Sequence, residues 1–317
     1  MMTAYIEGGW TVRRIGGAMT SLVTPFKDGV LDHVALMAHV EWQILNGIDG
    51  LVACSIAGEG AVLTMDERTK VIATCVEVAE GKVPVIATSG TNCTATTIEE
   101  TRQAAALGAD AALVTLPYYS KPTQKGVIHH FERLAASTDL PLIVHNLPSY
   151  TAIDLAPATL DSLAAIPSII GIADGTGDIG RISAWRSQLP ERISLFSAHD
   201  PTASTAALSG AQGAISAVAN VAPRLFSAMQ HAAAAGNLSA VFALSERLLP
   251  LFQALSLESQ PATVKQALHI LRDMSSDVRL PLVGVDPATD AMIREALLSA
   301  QVTYKRHCPP ADIHRLG

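Results

Sequence analysis

Eight short, predominantly apolar runs recur between residues 17 and 235, and a segment with helical character follows each of them. They read as strands at residues 18–23, 50–54, 83–87, 111–116, 140–144, 169–172, 193–196 and 213–217. Runs of this length, bounded by Gly, Pro, Ser or Asn, fit strands covered on both faces of a parallel sheet. The segments 31–45, 66–79, 97–107 and 124–136 carry the spacing of helices packed on such a sheet. Eight strand–helix units predict an α/β protein closed into a (β/α)8 TIM barrel over residues 17–235. A doubly wound open sheet is the alternative, and it usually announces a glycine-rich phosphate loop after its first strand. Here the first strand runs instead into Val23-Thr24-Pro25-Phe26.

After the barrel the pattern is helical only, at 238–255, 261–274 and 287–300, which predicts a C-terminal helical appendage over 236–303. Residues 1–16 and 304–317 read as irregular tails. Hydrophobic residues make up 49% of the 317 and charged residues 16%, which excludes a disordered chain and supplies a large core. With a net charge of −7 and no basic run longer than a pair such as Arg13-Arg14, the chain lacks the footprint of a nucleic-acid binder. No apolar stretch is long enough for a transmembrane helix. Arg13-Arg14 ahead of residues 15–23 has the outline of a twin-arginine leader. The stretch is short, lacks a small-residue cleavage site and continues as the first strand, so it is read as barrel. Cys54, Cys75, Cys93 and Cys308 show no CxxC spacing, which speaks against a zinc ribbon or thioredoxin-type motif. Scattered cysteines of this kind suit a reducing compartment, and a cytoplasmic location is expected.

In a barrel of this type the chemistry lies at the C-terminal ends of the strands. That shortens the list to Thr24, Ser55, Gly58, Glu59, Gly60, Ser89, Thr91, Tyr118, Tyr119, His145, Asn146, Asp174, Thr176, Ser197, His199, Asp200, Ser216 and Asn220. Several of these sit in recognisable motifs. They are Val23-Thr24-Pro25-Phe26, Ala57-Gly58-Glu59, Pro117-Tyr118-Tyr119-Ser120-Lys121-Pro122, Asn146-Leu147-Pro148-Ser149, Gly171-Ile172 followed by Thr176-Gly177, and Gly213-Ala214-Ile215-Ser216. Through them the chain resembles the dihydrodipicolinate synthase / N-acetylneuraminate lyase family along nearly the whole barrel. The resemblance implies a tetrameric barrel with a C-terminal helical part. It also implies a lysine at the end of the sixth strand that forms a Schiff base with pyruvate or another 2-keto acid, without a cofactor.

The chain departs from the family pattern at that lysine. Where the family reads Gly-Ile-Lys-Asp/Glu, this sequence reads Gly171-Ile172-Ala173-Asp174. A methyl group is not a nucleophile, so iminium formation at this position is excluded. The remaining lysines are Lys27, Lys70, Lys82, Lys121, Lys125, Lys265 and Lys305. Lys70 and Lys265 fall on helices and Lys82 precedes a strand, which leaves Lys27, Lys121 and Lys125 for the top-face loops. None of these three has a neighbour that would depress its pKa. The family's strand-five tyrosine is His145 here, its Thr-Thr or Ser-Thr pair is Ile56-Ala57, and an arginine that binds a carboxylate in many dihydrodipicolinate synthases is Tyr150.

The resemblance marks His145, Tyr119 and Asp174 as catalytic candidates, with Tyr119 matching a tyrosine that reaches into a neighbouring subunit. It marks Ile56, Ala57, Gly58, Glu59, Tyr150, Thr176, Ile215 and Ser216 as substrate-binding candidates. Each has a plainer reading. Glu59 suits a hydrogen bond within its loop, Tyr118 and Tyr119 interface packing, Asp174 a salt bridge, and Thr176 a helix start. His145 fits either a structural hydrogen bond or proton transfer near neutral pH. His199 and Asp200 fit helix capping, or, with His145 and Asp174, a divalent-ion site that would stand in for the Schiff base. No ligand spacing supports the metal, and neither metal nor cofactor is expected. The expected function is a divergent family member that binds a small keto acid or carboxylate, its Schiff-base aldol chemistry lost. The alternatives are a working carbon–carbon or carbon–oxygen lyase using His145 with a metal or a relocated lysine, and a non-catalytic regulatory barrel. A homotetramer is expected, with neither nucleic acid nor membrane as partner.

Overall fold

The structure, a computed structural model, describes residues 3–6, 10–13 and 15–302. Eight parallel strands close into a barrel: β1 (Gly17–Ser21), β2 (Gly50–Ala53), β3 (Val85–Thr88), β4 (Ala111–Thr115), β5 (Leu142–Asn146), β6 (Ile169–Asp174), β7 (Ser194–Ser197) and β8 (Gly213–Ser216). Each strand pairs with the next, and β8 pairs with β1 through Gly213↔Gly17 to Ser216↔Thr20. The main helices that follow the strands, in order, are α1 (His33–Leu45), α2 (Met65–Ala79), α3 (Thr94–Ala106), α4 (Gln124–Ala135), α5 (Pro157–Ala164), α6 (Ile179–Gln188), α7 (Ala203–Leu208) and α8 (Pro223–Ala234), with one further helical turn at Pro148–Thr151 after β5. The expected (β/α)8 barrel is therefore the fold.

Strand alternation explains why the runs are apolar throughout. Met19, Val52, Ile86, Leu113, Ile143, Ala173, Phe196 and Ile215 form one buried cluster that fills the lumen. Their neighbours Ala18, Leu51, Ala53, Val85, Ala87, Ala112, Val114, Leu142, Val144, Ile172 and Leu195 belong to a second cluster shared with the helices. Each strand thus buries both faces, and a polar residue is tolerated only near its end. β5 and β6 continue two residues beyond their apolar runs, because His145↔Ala173 and Asn146↔Asp174 keep the register.

Helix starts follow the local sequence. Asp32 caps α1 by accepting from Ala35 N, and Thr64 with Glu67 forms a capping box on α2. After α8 come α9 (Leu238–Ala254), α10 (Gln260–Arg272) and α11 (Pro287–Ser299), the expected appendage. α9 packs on α8, and α11 packs on both α9 and α10. The expectation of an irregular N-terminal tail does not hold for Thr3–Ile6 and Trp10–Arg13, which pair antiparallel from Thr3↔Arg13 to Ile6↔Trp10. The expected C-terminal tail lies outside the described residues. Among the described residues no helix is long and apolar enough to cross a membrane.

Candidate active site

The strand register lines up one row across the top of the lumen. Thr115, His145, Ala173 and Phe196 are successive partners on β4, β5, β6 and β7. Ala173 is fully buried and ends at its methyl. His145 keeps 7% of its surface exposed, and its Nδ1 lies 3.2 Å from Thr115 Oγ1. Burial pulls the imidazole down to about 4, so it is neutral at pH 7. Two further hydroxyls meet at the ends of β1 and β2, Ser21 Oγ and Ser55 Oγ at 2.7 Å.

The loop after β2 is built around two residues in the left-handed region, Cys54 (φ 55°) and Glu59 (φ 54°). Glu59 N donates to Ile56 O and Gly60 N to Ser55 O, both at 3.0 Å, while Thr24 Oγ1 donates to Gly58 O at 2.7 Å. A Cβ on Gly58 would stand 2.6 Å from Leu22 O, so only glycine fits there. The amides of Ile56, Ala57 and Gly58 donate to no described acceptor. Three successive free N–H groups at a strand end can hold an anion's oxygens without any side chain.

Glu59 itself points elsewhere. Its carboxylate accepts from Lys265 Nζ at 2.5 Å and from Arg279 N at 2.9 Å, and both charged side chains of the ion pair are fully buried. Lys265 Nζ also donates to Asp277 O at 2.8 Å and lies 4.2 Å from the Phe26 ring centre, with Arg279 4.1 Å from the same centre. Glu59 is thus an anchor for its loop. Lys265, read in the sequence as merely helical, is its partner across 206 residues, and burial lowers its pKa. The only sequence signal for this was a lysine placed among the apolar residues of α10.

Asp174 alternates with Ala173 and so turns away from the lumen. It accepts from Asn146 Nδ2 at 2.8 Å and from Thr176 Oγ1, and lies 3.7 Å from Arg181 Nη2. Arg181 is held in turn by Asp154 through bonds of 2.6 and 2.8 Å. The structure therefore does not bring Asp174 or Thr176 together with His145; a brace between the β5 and β6 loops occupies both. Ser216 is buried and accepts from Ala219 N at 3.0 Å, whereas Ile215 faces inward. Tyr119 is 90% exposed at φ 68°, and Tyr150 is exposed as well.

His199 Nδ1 bonds Thr202 Oγ1 at 2.9 Å, and Asp200 accepts from Ala217 N and Val218 N at 3.2 Å each. Asp200 therefore ties the end of β8 rather than capping the helix after it. Among the described residues no three His, Cys, Asp or Glu side chains are placed to hold a metal ion. The metal alternative thus lacks a ligand set. Lys27, Lys70, Lys82, Lys121 and Lys125 are all exposed, and Lys305 lies outside the described residues.

Comparison with known proteins matches residues 14–300 to the Dihydrodipicolinate synthetase family. The 4-hydroxy-tetrahydrodipicolinate synthase of Sphingopyxis alaskensis is 41% identical over 287 residues, covering 90% of this chain and 99% of that protein. The protein of the same name from Roseobacter denitrificans is 43% identical over 284 residues, 90% and 98% of the two chains. The crystal structure of the chloride-inhibited dihydrodipicolinate synthase from Acinetobacter baumannii complexed with pyruvate superposes with a TM-score of 0.89 at 39% identity. That match covers 91% of this chain and all of the other.

Proposed function

Since the chain belongs to the dihydrodipicolinate synthetase family, we propose that its barrel mouth binds a small keto acid or carboxylate without forming a Schiff base. One observation carries the reading: a methyl, Ala173, occupies the inward face of β6, and no described lysine supplies an amine in its place. Lys265, the sole buried lysine among the described residues, is committed to Glu59 and Asp277. The ligand's carboxylate rests on the amides of Ile56, Ala57 and Gly58, and its other end reaches toward His145. Without an iminium only the neutral keto carbonyl is left to take up a carbanion's electrons, and on this reading aldol condensation and cleavage are lost.

The test is borohydride reduction in the presence of pyruvate, followed by intact-protein and peptide mass spectrometry. No covalent adduct is expected; an adduct mapped to any lysine on the barrel rim overturns the reading. A second reading, proton transfer by His145, draws support from the ring's place on the inward face beside Thr115. Deuterium exchange at the methyl of pyruvate, lost in His145→Phe, would be its signature. The same proposal places the protein in the cytoplasm as a homotetramer, the exposed Tyr119 tip meeting a second copy.

A further inference from the structure

The charged groups around the lumen are all engaged elsewhere. Asp174 faces Arg181 and Asn146, Glu59 faces Lys265, and Asp200 faces the amides of Ala217 and Val218. Arg68 pairs with Glu100 at 3.0 Å, and Arg181 with Asp154. His145 is neutral. Among the described residues, therefore, nothing on the inward strand faces offers a countercharge to an anion entering the lumen. Burying a carboxylate there without a partner is strongly unfavourable.

Hydrogen-bonding capacity, by contrast, is left open. Thr88 ends β3 on the inward face, two residues after Ile86, and its Oγ1 is buried without any partner. The residue as a whole keeps 9% of its surface exposed while Oγ1 itself is covered, so meeting a ligand takes a turn about χ1. Native structures rarely leave a buried hydroxyl unsatisfied, and each exception calls for an explanation. Thr88 pairs with Leu113 on β4, and Thr115 follows two residues later on the same face, bonded to His145. The Nε2 of His145 bonds to no described residue.

Resting on the reading that this site holds a small carboxylate, we infer that Thr88, Thr115 and His145 form an uncharged subsite for a hydroxyl or carbonyl oxygen. The ligand is then a 2-hydroxy or 2-oxo monocarboxylate. Its carboxylate stays at the amides of Ile56 to Gly58, its second oxygen enters the lumen, and a dicarboxylate is turned away. Because no amine attacks the ligand, a tetrahedral hydroxyl serves as well as a planar carbonyl.

Calorimetric titration of the full-length protein with pyruvate, lactate, propanoate and malonate tests this. Lactate and pyruvate are expected to bind about 10-fold tighter than propanoate, the effect of one added hydrogen bond, with malonate weakest. Thr88→Val is isosteric and removes an unsatisfied hydroxyl, so its melting temperature should hold or rise while the advantage of lactate over propanoate disappears. Thr88→Ser should restore that advantage. Equal binding of lactate, pyruvate and propanoate sinks the subsite and leaves the carboxylate site standing. So does a stabilised Thr88→Val that still prefers lactate, since the hydroxyl would then be a packing defect only. Malonate binding tightest would reveal a countercharge and overturn the subsite. Binding of none of the four would remove the carboxylate site and the subsite with it.

Discussion

At the end of β6 a methyl faces the lumen, and the carboxylate next along the chain faces the helices. Restoring the amine by Ala173→Lys would place an ammonium against Phe196 and Ile143 with no described carboxylate on its face. Desolvation would lower its pKa. Condensation of pyruvate with an aldehyde should nonetheless stay undetectable, because His145, Ile56 and Ala57 still replace the tyrosine and hydroxyl groups that the family pattern carries. A robust aldolase rate in a coupled assay would show the surroundings to be competent. The histidines make a second prediction. His39, His130 and His145 are each pulled by burial from the ordinary 6.5 to about 4. Protons therefore bind the unfolded chain first, so the stability these groups contribute is full above pH 6.5 and is lost as pH falls toward 4. Each is worth up to ~3 kcal/mol. Asp200, raised by burial to about 6, acts oppositely: its contribution is full below its ordinary value of 3.8 and is lost as pH rises through 6. Three groups outweigh one, so urea midpoints should fall between pH 6.5 and 4, and His145→Gln should make that fall shallower.

The pair formed by α10 and the loop after β2 belongs to the scale of elements. Lys265→Met would strand the Glu59 carboxylate in a dry site, which typically costs about 3–5 kcal/mol. Lys265→Met with Glu59→Gln should recover most of that loss, and a denaturant double-mutant cycle measures the coupling. If the single and double variants unfold alike, the pair does not hold the loop. This contact also marks where the sequence stops being legible. Strands could be read because each is apolar on both faces and ends in a turn residue, and that physics is local. The inward row of His145 and Ala173 follows from counting along β5 and β6. Alternation also places Asp174 on the far side, yet its motif neighbours made it look catalytic. Lys265 and Glu59 could not be paired in advance, since nothing short-range joins residues so distant. Thr88 gave no signal either, because an unpartnered hydroxyl is visible only once its neighbours are in place.

For the whole molecule, the exposed Tyr119 at the tip of its loop is the feature that argues for company. A tyrosine held at φ 68° with 90% of its surface exposed is an expensive ornament for a monomer. Light scattering at micromolar concentration should therefore give a mass near four chains, and Tyr119→Ala should shift it toward smaller species. A particle of one chain's mass, 33.2 kDa, across that range would refute the assembly.

Synthesis runs in one direction, and this gives the Glu59–Lys265 contact a temporal meaning. The loop that frames the barrel mouth leaves the ribosome early, whereas the lysine that neutralises its carboxylate emerges 206 residues later. A nascent chain ending after α8 but before Lys265 would carry all eight strands and their helices and still lack the partner of Glu59. Anchoring of this loop thereby waits on α10, so premature termination before Lys265 leaves the Glu59 carboxylate without its cation.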